Sequence, residues 1–313
     1  MSDPNNNNSI INPLHVVVYA GPNGSGKTTM MTSLKKNGLR VEGQTVFPPE
    51  DEINPDLVAQ TLTHLPEGRA REEAAQRKAW EMRADLLADR KPFSFETVMS
   101  HPSRINELQL LKAANYSVYL TFITTNDPRK NVARVAQRVR DKTTTGHDVP
   151  VDKIVGRYER TLDLLPKAVE VATASYVYDN SYDGQLPTLQ ASVLPDGSIH
   201  LNDRVEPWVQ ARLVDPLMDR SQELGALERE VGKQGFELIY PDELQGQYSG
   251  KIAFETAYFL LVRDGTKGLS VHDKVMLNTR SKQKFVIDTP CRITYDHRTE
   301  AKIEIGQAAE RAV

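Results

Sequence analysis

Gly21-Pro22-Asn23-Gly24-Ser25-Gly26-Lys27-Thr28 fits the pattern G-x-x-x-x-G-K-[ST] at every fixed position. The chemistry such a run supports is phosphate binding. Glycines let the backbone turn so that successive N–H groups point inward at phosphate oxygens, and the helix that follows adds the positive end of its dipole. Lys27 is expected to reach the β- and γ-phosphates and the Thr28 hydroxyl to ligate Mg²⁺, with Thr29 completing the loop. The apolar, β-branched run HVVVYA before the loop, and the stripe Met30, Met31 and Leu34 after it, supply the strand and helix that a loop of this kind needs. These residues predict a nucleoside-triphosphate site for ATP (or GTP) with Mg²⁺.

A phosphate loop does not by itself separate an ATPase or GTPase from a kinase. Asn54 and Asp56, in INPD, follow the second strand-like segment. A carboxylate there is able to accept the proton of an attacking hydroxyl or to hold Mg²⁺. Taken alone, Asp56 reads rather as the cap of the apolar helix it precedes. Glu96 and Thr97 end a third strand-like segment, and the carboxyl ends of parallel strands face the ligand crevice. Glu96 is thus placed either to hydrogen-bond a substrate hydroxyl or to lie on the surface. Arg134, Arg138 and Arg140 fall in one helical stretch, and the first two, four apart, share a face. That arrangement suits two guanidiniums closing on a transferring phosphoryl group, or a solvated basic face.

The elements that must position these residues alternate. Strand-like runs (HVVVYA, TVF, PFSFETV, YSVYLTFITT, SYVYDN) are separated by helical ones, including a long charged helix over 66–90 with Ala75, Ala79, Met82 and Leu86 on one stripe. Strand–helix alternation at this spacing predicts a parallel α/β sheet with helices on both faces. From about residue 190 the pattern changes: a hairpin around Pro195-Asp196-Gly197, helical residues broken near Pro216, then short strands (GKIAFET, YFLLVRDGTKG, LSVHD, KVML, QKFVID, CRITYD, AKIEI). The expected organisation is a disordered tail (1–12), a nucleotide-binding domain (13–189), a hairpin and helical connector (190–234), and a small β-rich module (235–313).

Composition narrows the class. Of 313 residues, 39% are hydrophobic and 26% charged, as in globular proteins, and the formal charge of −3 gives no global drive toward nucleic acid or anionic membrane. One cysteine excludes an internal disulfide framework and a multi-cysteine zinc site. No apolar stretch approaches the roughly 20 residues of a membrane span, and the polar N-terminus lacks the order of a signal peptide. The expected compartment is the cytoplasm.

Taken in order, AGPNGSGKTT, INPDLVA, SFETVMS, NYSVYLTFI, VARVAQRV, GHDVPVDKIVGRY and YVYDNS resemble the zeta-toxin family of P-loop kinases over about residues 14–181. The resemblance implies a P-loop NTPase fold of the nucleoside/shikimate-kinase type. It also implies ATP- and Mg²⁺-dependent phosphorylation of a hydroxyl of a nucleotide sugar, UDP-N-acetylglucosamine in the family's characterised members, and a small antitoxin protein as partner. By position it makes Lys27 and Thr28 the phosphate and Mg²⁺ residues and Asp56 the base. Glu96 and Thr97, with Asn54, become the sugar-binding residues, and Arg138 or Arg134 the first phosphate-clamping arginine. Where the family carries a second clamping arginine, this sequence reads TTTGHD over 143–148. His147, and Arg157 from the next helix, are the residues able to supply a charge there.

The segments YSGKIAFETAYFLLVRDG, LSVHDKVML and PCRITYDHRTEAKIEI more loosely resemble the KfrB-type domain of plasmids and mobile elements. His272 and Asp273 suggest a catalytic pair, but neighbours on a strand point to opposite faces, and they are expected to be turn and surface residues. Tyr240, Tyr248, Tyr258 and Phe259 are expected in a core or at a partner surface. Nothing in the kinase domain calls for nucleic acid. Two other readings stay open: a P-loop kinase acting on a dinucleotide or simple sugar, and a nucleotide-switched binding protein of a mobile element.

Overall fold

The computed structural model describes residues 13–141, 149–265, 267–277 and 285–306 of the chain. They cluster into two compact units that do not follow chain order: Met1–Thr97, Leu111–Ile154 and Ala172–Asn202 form the first, and Val98–Leu110, Val155–Val171 and Asp203–Val313 the second. In sequence the elements are β1 (His15–Ala20), α1 (Lys27–Asn37), β2 (Leu39–Val41), β3 (Gln44–Val46), β4 (Glu52–Ile53), α2 (Pro55–Thr61), α3 (Arg69–Ala88), β5 (Phe93–Thr97), α4 (Ser103–Ala113), β6 (Ser117–Thr124), α5 (Pro128–Asp141) and α6 (Val151–Val171). There follow β7 (Ala174–Asp179), β8 (Thr188–Val193), β9 (Ile199–Leu201), α7 (Pro207–Val209), a π turn over Gln210–Val214, α8 (Asp215–Lys233), β10 (Glu237–Ile239), β11 (Gln247–Glu255), β12 (Phe259–Arg263), β13 (Gly268–Asp273), β14 (Pro290–Thr294) and β15 (Lys302–Ile305).

The first unit is built on a seven-stranded sheet in the order β4-β5-β1-β6-β7-β8-β9. Its first five strands are parallel, and β8 and β9 extend it antiparallel as the expected hairpin. A strand covered on both faces has no reason to alternate, which is why Val16 to Ala20 are all apolar and fully buried. Against Val17, Tyr19, Tyr119, Ile123 and Tyr176 of the sheet pack Met30, Met31 and Leu34 of α1. Leu39, Val41 and Val46 of a separate β2–β3 hairpin join the same cluster, so the strand-like TVF lies outside the main sheet. On α3 the buried positions are Ala75, Ala79 and Arg83, not Met82 and Leu86, which are half-buried. Arg83 is admitted to the interior because its guanidinium lies 4.9 Å from the centre of the Phe95 ring, a cation–π contact. Chain order reverses on either side of β1, with β5 on one side and β6 on the other. The carboxyl ends of the parallel strands therefore bring together the residues after β1, β4, β5, β6 and β7.

The second unit holds a six-stranded sheet, β10-β13-β12-β11-β14-β15. Leu227 and Val231 of α8 pack on Phe259, Leu261, Leu269 and Val271. The helix is not broken at Pro216. Proline has no N–H and crowds the preceding turn, so the ladder widens to a π turn just before it, with the Asp215 N–H donating to the Gln210 carbonyl. Of the expected strands, KVML is instead a turn, closed by the Asp273 carboxylate accepting from the Val275 N–H at 3.1 Å. The described part of QKFVID, from Phe285, is not a strand either.

His272 and Asp273 are not surface residues: both are buried, because β13 is covered on both faces. Asp273 accepts from Arg220 at 2.6 Å and lies 3.4 Å from the Lys167 ammonium. Arg220 also pairs with Glu170, and Lys167 with Glu243 at 3.0 Å. Residues 235–313 thus share their buried charges with α6. On the opposite face of β13, the His272 ring nitrogens lie 2.8 Å from the Ser270 hydroxyl and 2.9 Å from the Tyr295 hydroxyl.

Burial pushes the His272 pKa down from 6.5 to about 3. The unfolded chain therefore takes up a proton near pH 6.5 that the folded chain refuses until about pH 3, and stability falls with pH throughout that window. Unfolding measured between pH 7 and 5, above the range where carboxylates titrate, is expected to show falling stability in the native chain. A His272→Gln variant is expected to have lower stability at pH 7 but a flatter slope.

Candidate active site

Residues 21–28 leave β1 and enter α1 through three glycines at positive φ: Gly21 (+147°), Gly24 (+74°) and Gly26 (+98°). Space, as well as torsion, requires glycine. A Cβ on Gly21 would lie 2.0 Å from the Ile123 carbonyl oxygen, one on Gly24 2.6 Å from that of Asn131, and one on Gly26 2.1 Å from Asn180 Nδ2. The loop is anchored at its start by the Gly21 N–H, which donates to the Thr97 carbonyl at 3.3 Å. Gly26 stands at the N-cap of α1 with no side-chain cap, so no side chain of its own satisfies the first-turn N–H groups. Pro22 is buried, Asn23, Gly24 and Gly26 are half-buried, and Thr28 and Thr29 are exposed at the start of the helix.

Lys27 is buried. Its ammonium donates to the carbonyls of Gly21 (2.9 Å) and Pro22 (3.1 Å) and lies 3.5 Å from Glu96 Oε1. Burial holds its pKa below the usual lysine value, and the charges of Glu96 and Asp56 work against that shift. The lysine is therefore part of the loop's own architecture as well as a charge for a ligand. Asn54 brings Glu96 and Asp56 together: its Nδ2 donates to Glu96 Oε2 at 3.3 Å, and its Oδ1 accepts from the Asp56 N–H at 2.9 Å. The helix cap is thus Asn54, followed by Pro55 in the first turn, and not Asp56. Asp56 is half-buried, and its carboxylate has no hydrogen bond among the described residues.

The two arginines that share a face of α5 differ. Arg134 donates to the Asn180 carbonyl at 2.7 Å and pairs with Asp183. Arg138 acts electrostatically on Lys27, and its buried Nε has no partner among the described residues. Arg157 lies half-buried on α6 in the second unit, and His147 falls outside the described residues. Lys27, Asn54, Asp56, Glu96, Thr97 and Arg138 therefore gather at one end of the first unit's sheet. Two residues that sequence reasoning left without a role join them, Asn131 and Asn180. Each donates to a loop carbonyl, Asn131 to Asn23 at 2.7 Å and Asn180 to Ser25 at 2.8 Å. Asn180 directly follows β7, at a strand carboxyl end, and that position was the available signal for it; Asn131 stands on α5 and carried none.

A nucleotide with Mg²⁺ fits these residues. The cradle has no room for a Cβ at Gly21, Gly24 or Gly26, the buried Ser25 hydroxyl and Arg138 Nε are both unpartnered among the described residues, and the Thr28 hydroxyl stands exposed in the first turn. A phosphate loop between the central strand and first helix of a parallel sheet, with carboxylates at the neighbouring strand ends, defines the class as P-loop kinase fold.

The chain belongs to the zeta toxin family, whose sequence profile matches residues 3–182. Among solved structures it is similar to a chain of the PezAT chromosomal toxin–antitoxin system of Streptococcus pneumoniae (16% identity, TM-score 0.40, covering 69% of this chain and 87% of that one). It is also similar to a gluconokinase from Sinorhizobium meliloti (13% identity, TM-score 0.25, covering 49% of this chain and 93% of that one). Nothing among curated protein sequences matches. No helix of the described residues is long and apolar enough to cross a membrane.

The packing of the loop separates two glycine substitutions of similar backbone cost. Gly43, at φ +82°, has nothing within 4 Å of an added Cβ. Gly43→Ala is expected to cost about 1–2 kcal/mol from its left-handed backbone alone and to leave ATP binding unchanged. Gly26→Ala, which must displace Asn180, is expected to abolish ATP binding. Thermal unfolding and ATP titration of the two variants test the contrast.

Proposed function

We propose that the chain is an ATP- and Mg²⁺-dependent kinase that phosphorylates a hydroxyl of a nucleotide sugar, with UDP-N-acetylglucosamine the favoured acceptor. We further propose that it serves as the toxin of a toxin–antitoxin pair with a small antitoxin protein as partner. The observation that carries this reading is the convergence of Asp56, a carboxylate with no hydrogen bond among the described residues, with Lys27, Glu96 and Arg138 beside a phosphate loop. A nucleotide switch has no need of a free base at that place.

In the transfer, the acceptor hydroxyl oxygen forms a bond to the γ-phosphorus, the bond from that phosphorus to the β,γ-bridging oxygen breaks, and the nucleoside diphosphate leaves. Asp56 receives the hydroxyl proton. Lys27 and Arg138 neutralise charge on the phosphoryl oxygens, and the loop N–H groups bind the phosphates that stay behind. Glu96, steadied by Asn54, is assigned to the acceptor's hydroxyls, and Thr97 to the same subsite. Thr28 is the residue that would hold Mg²⁺, which would supply positive charge against the phosphates. Catalysis of this kind is mostly positioning and electrostatics. Residues 235–313 are proposed to be dispensable for the transfer itself, with partner recognition or restraint as their role. His147 or Arg157 is the proposed source of the second clamping charge.

Incubation with ATP and a panel of nucleotide sugars, followed by mass spectrometry, is expected to show a gain of one phosphate on a sugar hydroxyl. Asp56→Asn is expected to keep ATP affinity and to lower transfer by roughly 10²–10⁴-fold, the usual contribution of a general base. A variant that loses ATP affinity but keeps turnover per bound nucleotide would make Asp56 a metal ligand instead.

A further inference from the structure

A loop that turns its N–H groups toward phosphate must turn its carbonyls away, and carbonyls in the interior need donors. Here the donors are two side-chain amides from different elements. Asn131, on α5 and fully buried, gives its Nδ2 to the Asn23 carbonyl. A carbonyl can only accept, so the Asn23 oxygen requires the Nδ2 end of the amide, which leaves Oδ1 beside the Thr125 hydroxyl at 2.5 Å. Asn180, in the turn after β7, gives its Nδ2 to the Ser25 carbonyl, and its own N–H donates to the Thr124 carbonyl at 2.7 Å. The same two residues are the walls that a Cβ on Gly24 or Gly26 would strike.

The turn that carries Asn180 is itself braced. Asp179 accepts from the Ser181 N–H and hydroxyl, Lys130 donates to the Ser181 carbonyl, and Arg134 ties the Asn180 carbonyl to Asp183.

We propose that Asn131 and Asn180 are positioning residues of the nucleotide loop, holding the Asn23 and Ser25 carbonyls outward, and that Arg134 acts through Asn180 rather than on the transferred phosphoryl group. This deepens the nucleotide-site reading above and rests on it for its consequence in binding, though not for its geometry. The loop is then clamped from both sides, by α5 at its tip and by the β7 turn next to Lys27.

The test uses the full chain and two readouts, amide hydrogen exchange over residues 22–28 without nucleotide, and the dissociation constant for ATP. In Asn131→Ala and in Asn180→Ala, loop exchange is expected to quicken while that of β1 stays unchanged, and ATP affinity to fall about tenfold, the value of one well-made hydrogen bond. Arg134→Ala is expected to reproduce the Asn180→Ala exchange pattern, and Arg138→Ala to leave loop exchange as it is. If both asparagine variants fold and leave exchange and affinity unchanged, the proposal is overturned. It is overturned equally if exchange quickens throughout the chain while ATP affinity is kept, since the amides would then be merely structural. Should one variant fail to fold, the other, on a separate element, decides. If the native chain binds no ATP, the nucleotide reading fails, and the exchange data alone still decide the clamp.

Discussion

A phosphate loop works only if bare backbone can take the place of side chains, and in this chain that requirement dictates what surrounds residues 21–28. The end of β1 passes so close to β6 that a Cβ on Gly21 would meet the Ile123 carbonyl oxygen at 2.0 Å. On the other side the Gly21 N–H is taken by the last residue of β5. Backbone against backbone on both sides leaves no slack, so β1 must be held in register with both neighbours along its length. It pairs with β5 from Val16 to Ala20 and with β6 from His15 to Ala20. Burial of these strands, with α1 packed on one face, is the energetic condition for that rigidity.

Both units bury charge, and they do so to different ends. In the second unit Arg220 and Lys167 are surrounded by Asp273, Glu170 and Glu243, with each cation contacting two carboxylates. Such a closed network leaves no partner to exchange, and its removal piecemeal is costly because a lone buried charge remains. In the first unit Lys27 has a single carboxylate in contact, Glu96, with Asp56 and Arg138 acting at longer range. The balance there is open. In the proposed transfer, an arriving anion takes the ammonium from Glu96 and frees that carboxylate for the acceptor, a trade the closed network does not offer.

What could be read from the sequence was what the physics over-determines. The strands β1, β5, β6 and β7 are apolar because both faces are covered, and the loop's glycines are demanded by torsion and by space at once. Elements resting on a single weak cue were missed or misassigned. β4 has two residues and β10 three that are at best half-buried, too few for a pattern to declare itself. KVML has the composition of a strand, yet an aspartate immediately before it closes a turn, and apolar content cannot separate a buried turn from a strand. Strand alternation sends His272 and Asp273 to opposite faces, but the covering of both faces of β13 is a tertiary fact that no local pattern carries.

The two arginines of α5 show where reading a face stops and reading a partner begins. Spacing places Arg134 and Arg138 on one side of the helix, and by charge alone they are interchangeable. One turn of helix separates their surroundings. Arg134 already satisfies a backbone carbonyl and a carboxylate, so contact with phosphate would require it to give up both. Arg138 keeps a buried Nε with no partner among the described residues, and an unmet buried donor costs on the order of 1–3 kcal/mol until something accepts from it. An anion that does so is bound more tightly by relieving that cost. The proposed assignment of Arg138, and not Arg134, to the ligand therefore rests on what each guanidinium would lose and gain, a quantity fixed by Asn180 and Asp183, residues more than forty positions away in the chain.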